Sequence, residues 1–266
     1  MRTFKNLTEN VQEAITMPYG TDFNRPANPE EGMVRYNTTQ DALEFYNGTI
    51  WSVLGDNAVA AAIPTSQLYY NGATYSGTGD WLNTGSFSGG NLSINGATYD
   101  SGGGYFDFDG SNDFMTTTYT GFGSIYTINL VIDFDSLSGD RSIIAGTNGN
   151  DHGLLIEYEG ALSAARYLHR MPTGSGGGDN MYTASSLSVG TQYSITYVRT
   201  SSSQKIYVDG TLSNSITPSG NDFDSSISSL CIGRLASGTS ARYFDGKIYS
   251  IRIWDTELSS TEIAAL

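Results

Sequence analysis

The chain's 32 glycines punctuate short segments rich in tyrosine, threonine and phenylalanine, and this punctuation constrains the fold more than any other feature. Glycine supplies the positive φ that tight turns require. Tyrosine and threonine suit a half-buried pleated surface. Aromatic residues make up 12% of the chain, 18 of them tyrosine, against 15% charged residues. A disordered chain would lack that aromatic content. The pattern is that of many short strands joined by tight loops, a sandwich or a barrel, and the chain is expected to be all-β.

Composition then removes function classes. With 13 Lys+Arg against 27 Asp+Glu, the formal charge is −14. An acidic balance of this size repels phosphate backbones and anionic lipid, which argues against nucleic-acid and membrane-surface partners. The longest apolar run, Ala58 to Ile63, falls far short of the roughly 20 residues of a membrane span. Residues 1–6 lack the apolar stretch of a secretory signal. A single cysteine, Cys231, excludes an internal disulfide framework and a cysteine-based zinc cluster.

Residues 1–20 read as an N-terminal attachment arm. Leu7, Val11, Ala14 and Ile15 have helical spacing, with Asn6 or Thr8 as cap and a stop before Pro18. Residues 21–57 form a separate unit. After the proline-stiffened Arg25-Pro26-Ala27-Asn28-Pro29, strands are expected at Met33–Asn37, Leu43–Tyr46 and Thr49–Leu54, with Asn47-Gly48 as a hairpin turn. Three short strands bury little by themselves, so this meander is expected to pack on copies of itself or on neighbours. Pro29-x-x-Gly32-Met33-Val34-Arg35-Tyr36-Asn37-Thr38, followed by Leu43-Glu44-x-Tyr46-Asn47-Gly48 and Trp51, resembles a module of bacteriophage tail-fibre and other virion proteins. That resemblance implies a structural connector, commonly in trimeric fibres, with no chemistry of its own.

Residues 58–66 are a linker of small residues, and 67–266 read as one β domain. Within it Asn-Gly-Ala-Thr-Tyr occurs at 71–75 and again at 95–99, too few copies for a repeat architecture. Strands are expected at Tyr105–Asp109, where Phe106 and Phe108 share a face, and at Ile125–Phe134, a nearly apolar run buried on both faces. Others follow at Arg141–Ala145, Leu154–Tyr158, Tyr193–Arg199, Lys205–Val208 with its Asp209-Gly210 turn, Leu230–Gly233 and Gly246–Trp254. Ser259 and Glu262 have the spacing of a capping box, so a short helix closes the chain.

Gly104-Tyr105-Phe106-Asp107-Phe108-Asp109-Gly110-Ser111-Asn112-Asp113-Phe114 resembles the strand-turn-strand of laminin-G-like, concanavalin A-type jelly rolls. Ile206–Gly210, Ile232-Gly233-Arg234, Phe244–Ile248, Ile251–Trp254 and Leu258–Ile263 are similar to that family's later hairpin, closing strands and helix, in order. The resemblance covers 67–266 and implies a jelly-roll sandwich with a short C-terminal helix behind the N-terminal β-meander. After Trp81 the family's usual Asp is missing, the sequence running Leu82-Asn83-Thr84-Gly85.

Several residue sets bear on chemistry. Asp107 with Asp109, and Glu157 with Glu159, are i, i+2 pairs whose side chains start about 6.6 Å apart along a strand. That spacing lies between those of retaining and inverting glycosidases. Similar-fold glucanases carry a central Asp between two Glu, which Glu157-Tyr158-Glu159 lacks, and the acids are expected to be solvent-facing rather than catalytic. The two histidines, His152 and His169, have no serine elbow to serve. The run Gly174–Asp179 lacks the ending of a phosphate loop and reads as a hairpin tip. Asp107, Asp109, Asn112 and Asp113 gather hard oxygens around Gly110, as calcium requires. It is not an EF-hand, since Gly110 comes too early and no helices flank it. The laminin-G resemblance implies a rim calcium site in some members, with Asp245 contributing; the alternative is that Asp109 and Asn112 satisfy turn amides. Trp81, Tyr167, Tyr182 and Tyr243 lie near Asn, Asp or Arg and are candidate carbohydrate platforms, with covering of sandwich edges or of an oligomer interface as the alternative.

Together the two resemblances imply a non-enzymatic phage virion protein, a tail fibre or capsid decoration. It would be held to other virion proteins through residues 1–57, be homotrimeric, and display a jelly roll toward host surface polysaccharide. A free-standing lectin or adhesin, or a polysaccharide depolymerase, are the alternatives.

Overall fold

The computed structural model describes residues 17–39, 41–53, 62–148, 151–170, 178–219, 227–235 and 242–266. The chain divides into two compact units, Met1–Ala60 and Ala61–Leu266. The expected helix of the arm, residues 58–61 of the linker and residues 174–177 of the Gly174–Asp179 run lie outside the described residues.

The first unit holds β1 (Tyr19–Gly20), β2 (Val34–Asn37), β3 (Ala42–Tyr46) and β4 (Trp51–Val53), in that order across one sheet. The meander is as expected, with the addition of β1, which runs parallel to β2 and starts inside the segment assigned to the arm. The loop Asn47–Ile50 is longer than a two-residue turn because the Asn47 side chain organises it, its Oδ1 accepting the amides of Thr49 and Ile50 at 2.9 and 2.8 Å. Register sorts the side chains by face. One face buries a polar network: Glu44 accepts from Arg25 Nη2 at 2.6 Å and Asn37 Nδ2 at 2.9 Å, with Arg35 Nη1 3.3 Å away. The Arg25 hydrogen bond, with help from Asn37 and Arg35, holds the Glu44 carboxyl below its ordinary value against the opposing effect of burial. The other face pairs Val34 with Phe45 and Tyr36 with Leu43, an apolar quartet that stays only half-buried.

The second unit comprises β5 (Leu68–Asn71), β6 (Ser93–Asn95), β7 (Thr98–Asp100), β8 (Tyr105–Asp109), β9 (Phe114–Thr118), β10 (Tyr126–Phe134) and β11 (Arg141–Asn148). It continues with β12 (Asp151–Glu159), β13 (Ala164–His169), β14 (Asp179–Tyr182), β15 (Gln192–Arg199), β16 (Gln204–Val208) and β17 (Thr211–Ile216). It ends with β18 (Ser229–Ile232), β19 (Asp245–Trp254) and helix α1 (Ser260–Ile263). An eight-stranded sheet runs β17-β16-β15-β10-β19-β8-β7, with β5 also on β19, and a seven-stranded sheet runs β14-β13-β12-β11-β18-β9-β6. Their inner faces interleave Phe106, Phe108, Ile128, Leu130 and Ile132 from one sheet with Met115, Ile144, Ile156 and Tyr167 from the other. The fold is all-β, a jelly-roll sandwich.

Strand β10 is buried on both faces, as its apolar run predicts. Its outer face is covered by the chain's end: Thr127 Oγ1 donates to Thr256 O at 2.8 Å and accepts from Leu258 N at 3.1 Å. Val198, Tyr207, Trp254, Leu258 and Ile263 form a separate apolar cluster there. The capping box is present, with Ser259 N donating to Glu262 Oε2 at 2.6 Å and Glu262 N to Ser259 Oγ at 3.3 Å. Trp254 Nε1 donates to Pro64 O at 2.8 Å, so the end of the sequence-assigned linker is bound into this unit. Asp209 and Gly210, at φ 48° and 75°, make the β16–β17 turn with two positive φ values, as a type I′ hairpin requires.

Candidate functional site

The outer face of the seven-stranded sheet carries a buried carboxylate, Glu157, held by two arginines. Strands β12 and β13 pair antiparallel, placing Glu157 opposite Arg166 and Leu155 opposite Leu168. On β14, Tyr182 lies beside Arg166 and Asn180 beside Leu168. On β11, Ser142 lies opposite Glu157. Leu155, Leu168, Ala145 and Cys231 form an apolar layer here, distinct from the main core, with Phe114 and Leu235 packed against it.

Glu157 is fully buried. It accepts from Arg166 Nη1 at 2.7 Å and from Arg242 Nη1 at 2.9 and 2.7 Å on its two oxygens. Arg242 arrives from the segment before β19, and its backbone φ of 42° is one that side-chain-bearing residues seldom adopt. The same two arginines reach further acids: Arg166 Nη1 lies 3.4 Å from Glu159 Oε2, and Arg242 Nη2 lies 3.4 Å from Asp140 Oδ2. Arg166 Nε donates to Asn180 Oδ1 at 2.8 Å. Burial, followed by the charges of Arg170, Arg242 and Arg166, depresses His152 to about 4, with Asp151 opposing. Burial lifts the Tyr182 phenol, which Arg166 counteracts and Glu159 supports.

The structure separates the four aromatic candidates. Trp81 is 2% exposed and Tyr167 is 0% exposed, and both are corrected to core residues. The Trp81 ring lies 4.7 Å from that of Phe106, and Tyr167 bonds through its hydroxyl to Tyr126. A ring sealed on both faces offers no platform. Tyr182 is half-buried on the outer face just described, and Tyr243, also half-buried, directly follows Arg242. Sequence reasoning missed Arg166 and Arg242: Arg166 shares its strand face with Leu168, and Arg242 lies before β19 rather than on a strand.

The carboxylate sets behave differently from one another. Arg166 Nη1 lies 2.7 Å from Glu157 Oε1 and 3.4 Å from Glu159 Oε2, so one guanidinium serves both acids of that pair. Asp109 Oδ1 accepts the turn amides of Ser111 at 2.8 Å and Asn112 at 3.3 Å. Asp113 Oδ2 accepts Asp109 N at 3.0 Å. Asp245 faces Arg141 at 3.6 Å, and Asp107 pairs in register with Lys247. Burial, and then the neighbouring Asp135 charge, raise the Asp107 carboxyl above its ordinary value, with Lys247 opposing. Among the described residues no group of three or more His, Cys, Asp or Glu is gathered as a metal would need. Of the expected calcium ligands, Asp109 and Asp113 accept backbone amides of the turn and Asp245 lies beside Arg141. His169 is buried, with Nδ1 3.1 Å from Tyr126 Oη.

Two antiparallel sheets packed face to face, closed by a capped one-turn helix, define a concanavalin A-like sandwich. Residues 100–264 match the laminin-G-type family described as the concanavalin A-like lectin/glucanases superfamily, and the chain belongs to it. Among solved structures it is similar to domain 4 of AbnA, an extracellular arabinanase of Geobacillus stearothermophilus, in complex with arabinotriose. The TM-score there is 0.59 at 14% identity, over 75% of this chain and 97% of that one. It is also similar to Trypanosoma rangeli sialidase in complex with sialic acid (TM-score 0.56, 16% identity, 88% of this chain) but spans only 43% of that protein. The receptor-binding domain of botulinum neurotoxin type G gives 0.53 at 14% identity, over 76% of this chain and 50% of that one. Identities this low carry the fold alone. No curated protein matches the chain in sequence.

Proposed function

We propose that the chain is a structural appendage of a phage virion, tail fibre or capsid decoration, whose jelly roll binds host surface glycans on the outer face of the seven-stranded sheet. The observation that carries the binding reading is Tyr182 set beside Arg166 on that face, with Asn180 hydrogen-bonded to the same guanidinium. An aromatic flank beside fixed hydrogen-bonding groups is what a sugar site uses. The solved relatives crystallised with arabinotriose and with sialic acid support the same ligand class. The ion-paired Glu157 supports binding over cleavage, because its lone pairs are committed to guanidinium donors.

The virion role rests on the residue pattern of 29–54 and on the apolar quartet Val34, Tyr36, Leu43 and Phe45, which a lone four-stranded sheet leaves half-buried. Packing three copies on that quartet makes a homotrimer, and many copies on one particle make weak single sites effective. Two measurements test the reading: a glycan array probed with the full chain, and a low-resolution map of the particle. Binding to host-envelope saccharides and density outside the shell or along a fibre are expected. A silent array, or a protein absent from particles, overturns it.

A further inference from the structure

The ladder between β12 and β13 has one rung without a partner. Arg166 faces Glu157 and Leu168 faces Leu155. The next outward position is Arg170, whose amide donates to Gly153 O at 2.7 Å, so the residue across from it has no side chain. Arg166 and Arg242 each hold two carboxylates. Among the described residues Arg170 has no ion pair and no side-chain hydrogen bond, and its Nε is buried without a partner. Ser142, on the same face, likewise has a buried Oγ with no partner among the described residues. Burying the Nε of a half-exposed guanidinium without an acceptor is costly, and an anion bound at its accessible edge would offset that cost.

We infer that Arg170, one rung beyond Leu168 on the outer face of the β12–β13 pair, is an anion-recognition point within the saccharide site, taking the carboxylate of an acidic sugar of the uronic or nonulosonic class. The inference rests on the saccharide-binding reading above. A carboxylate suits the position geometrically, since a guanidinium fork pairs with it through two parallel hydrogen bonds. The charges around Arg170 favour it too. Arg166 and Arg242 lower the arginine's own proton affinity after burial does, with Glu157 opposing, so an added negative charge relieves cation–cation repulsion. The His152 ring, kept neutral by the same surroundings, can donate or accept a hydrogen bond without adding charge. The chain's net charge of −14 opposes long-range attraction of polyanions, so selectivity comes from this local pair geometry and not from steering.

The test uses the full chain and two matched probe pairs: sialyllactose with lactose, and trigalacturonate with its methyl ester. Calorimetry is expected to show tighter binding of at least one acid than of its neutral partner. Arg170→Gln should weaken that acid at least tenfold more than it weakens the neutral sugar, and Arg170→Lys should restore part of the difference. A retained melting temperature in both variants separates recognition from folding. Equal binding of acid and neutral sugar, or an acid preference that survives Arg170→Gln, overturns the inference and leaves saccharide binding intact. Acetate binding as tightly as either acid would reduce the site to a simple anion hole and overturn the sugar assignment. Binding of no sugar at all, with no signal on the glycan array, defeats the underlying reading instead.

Discussion

Arg242 closes over Glu157 with one nitrogen: Nη1 lies 2.9 Å from Oε1 and 2.7 Å from Oε2. The carboxylate is fully buried, so its charge is tolerated only because two arginines hold it. Arg242→Ala or Arg166→Ala should each destabilise the jelly roll by about 3 kcal/mol, because each leaves a buried charge short of partners. Glu157→Gln should cost a similar amount. A double-mutant cycle in urea unfolding between positions 157 and 242 checks this, and a coupling near zero would show the pair to be energetically idle.

His152 gives a pH signature. Its folded value, about 4, lies below its ordinary value, so the unfolded chain binds the extra proton first. Its contribution is fully present above pH of about 6.5 and is lost as pH falls toward 4, by ~2 kcal/mol after allowance for partial exposure. Arg170, Arg242, Arg166 and Asp151 are the charges acting on it. His152→Gln should flatten that part of the stability profile between pH 6.5 and 4, and an unchanged slope would contradict the assignment.

Trp81 and Tyr182 should respond in opposite ways. Trp81→Ala empties a sealed position and is expected to cost about 3–5 kcal/mol, whatever ligand is present. Tyr182→Ala should leave stability within about 1 kcal/mol and weaken saccharide binding several-fold. Chemical denaturation and calorimetry on both variants separate the two roles.

In the first unit, Phe45→Glu places a charge in the apolar quartet without touching the Glu44 network on the opposite face. Sedimentation should then show a monomer, whereas the unaltered chain is expected to sediment as a trimer. A chain that is monomeric before the change contradicts the trimer proposal.

How legible the fold was depended on where the signal lay. Phe106 and Phe108 alternate with acids, and Ser259 stands three residues before Glu262, so β8 and the capped helix could be read locally. Strands β13 and β14 could not, since Ala164–His169 mixes small, charged and aromatic residues whose burial depends on neighbours distant in sequence. The repeated Asn-Gly-Ala-Thr-Tyr shows the same limit. At 71–75 it forms a 3-10 turn, while at 95–99 it bridges β6 and β7, yet Tyr75 and Tyr99 meet edge-on with ring centroids 4.8 Å apart. Trp81 and Tyr167 were ambiguous for a related reason: composition marks an aromatic as useful but not which side of the sheet it occupies. Arg242 was invisible as a site residue because it lies 85 residues from Glu157 and meets it only after the sandwich closes.

The central claim is that the outer face of the seven-stranded sheet binds saccharide and leaves it uncut. Incubating the labelled full chain with host-envelope polysaccharide, while recording NMR shift changes and the release of reducing ends, tests it most directly. The expected result is shifts confined to Tyr182, Asn180, Arg166, Arg170 and Tyr243 with no new reducing ends. Shifts centred elsewhere, or a shortening polysaccharide whose cleavage stops in Glu157→Gln, would contradict it.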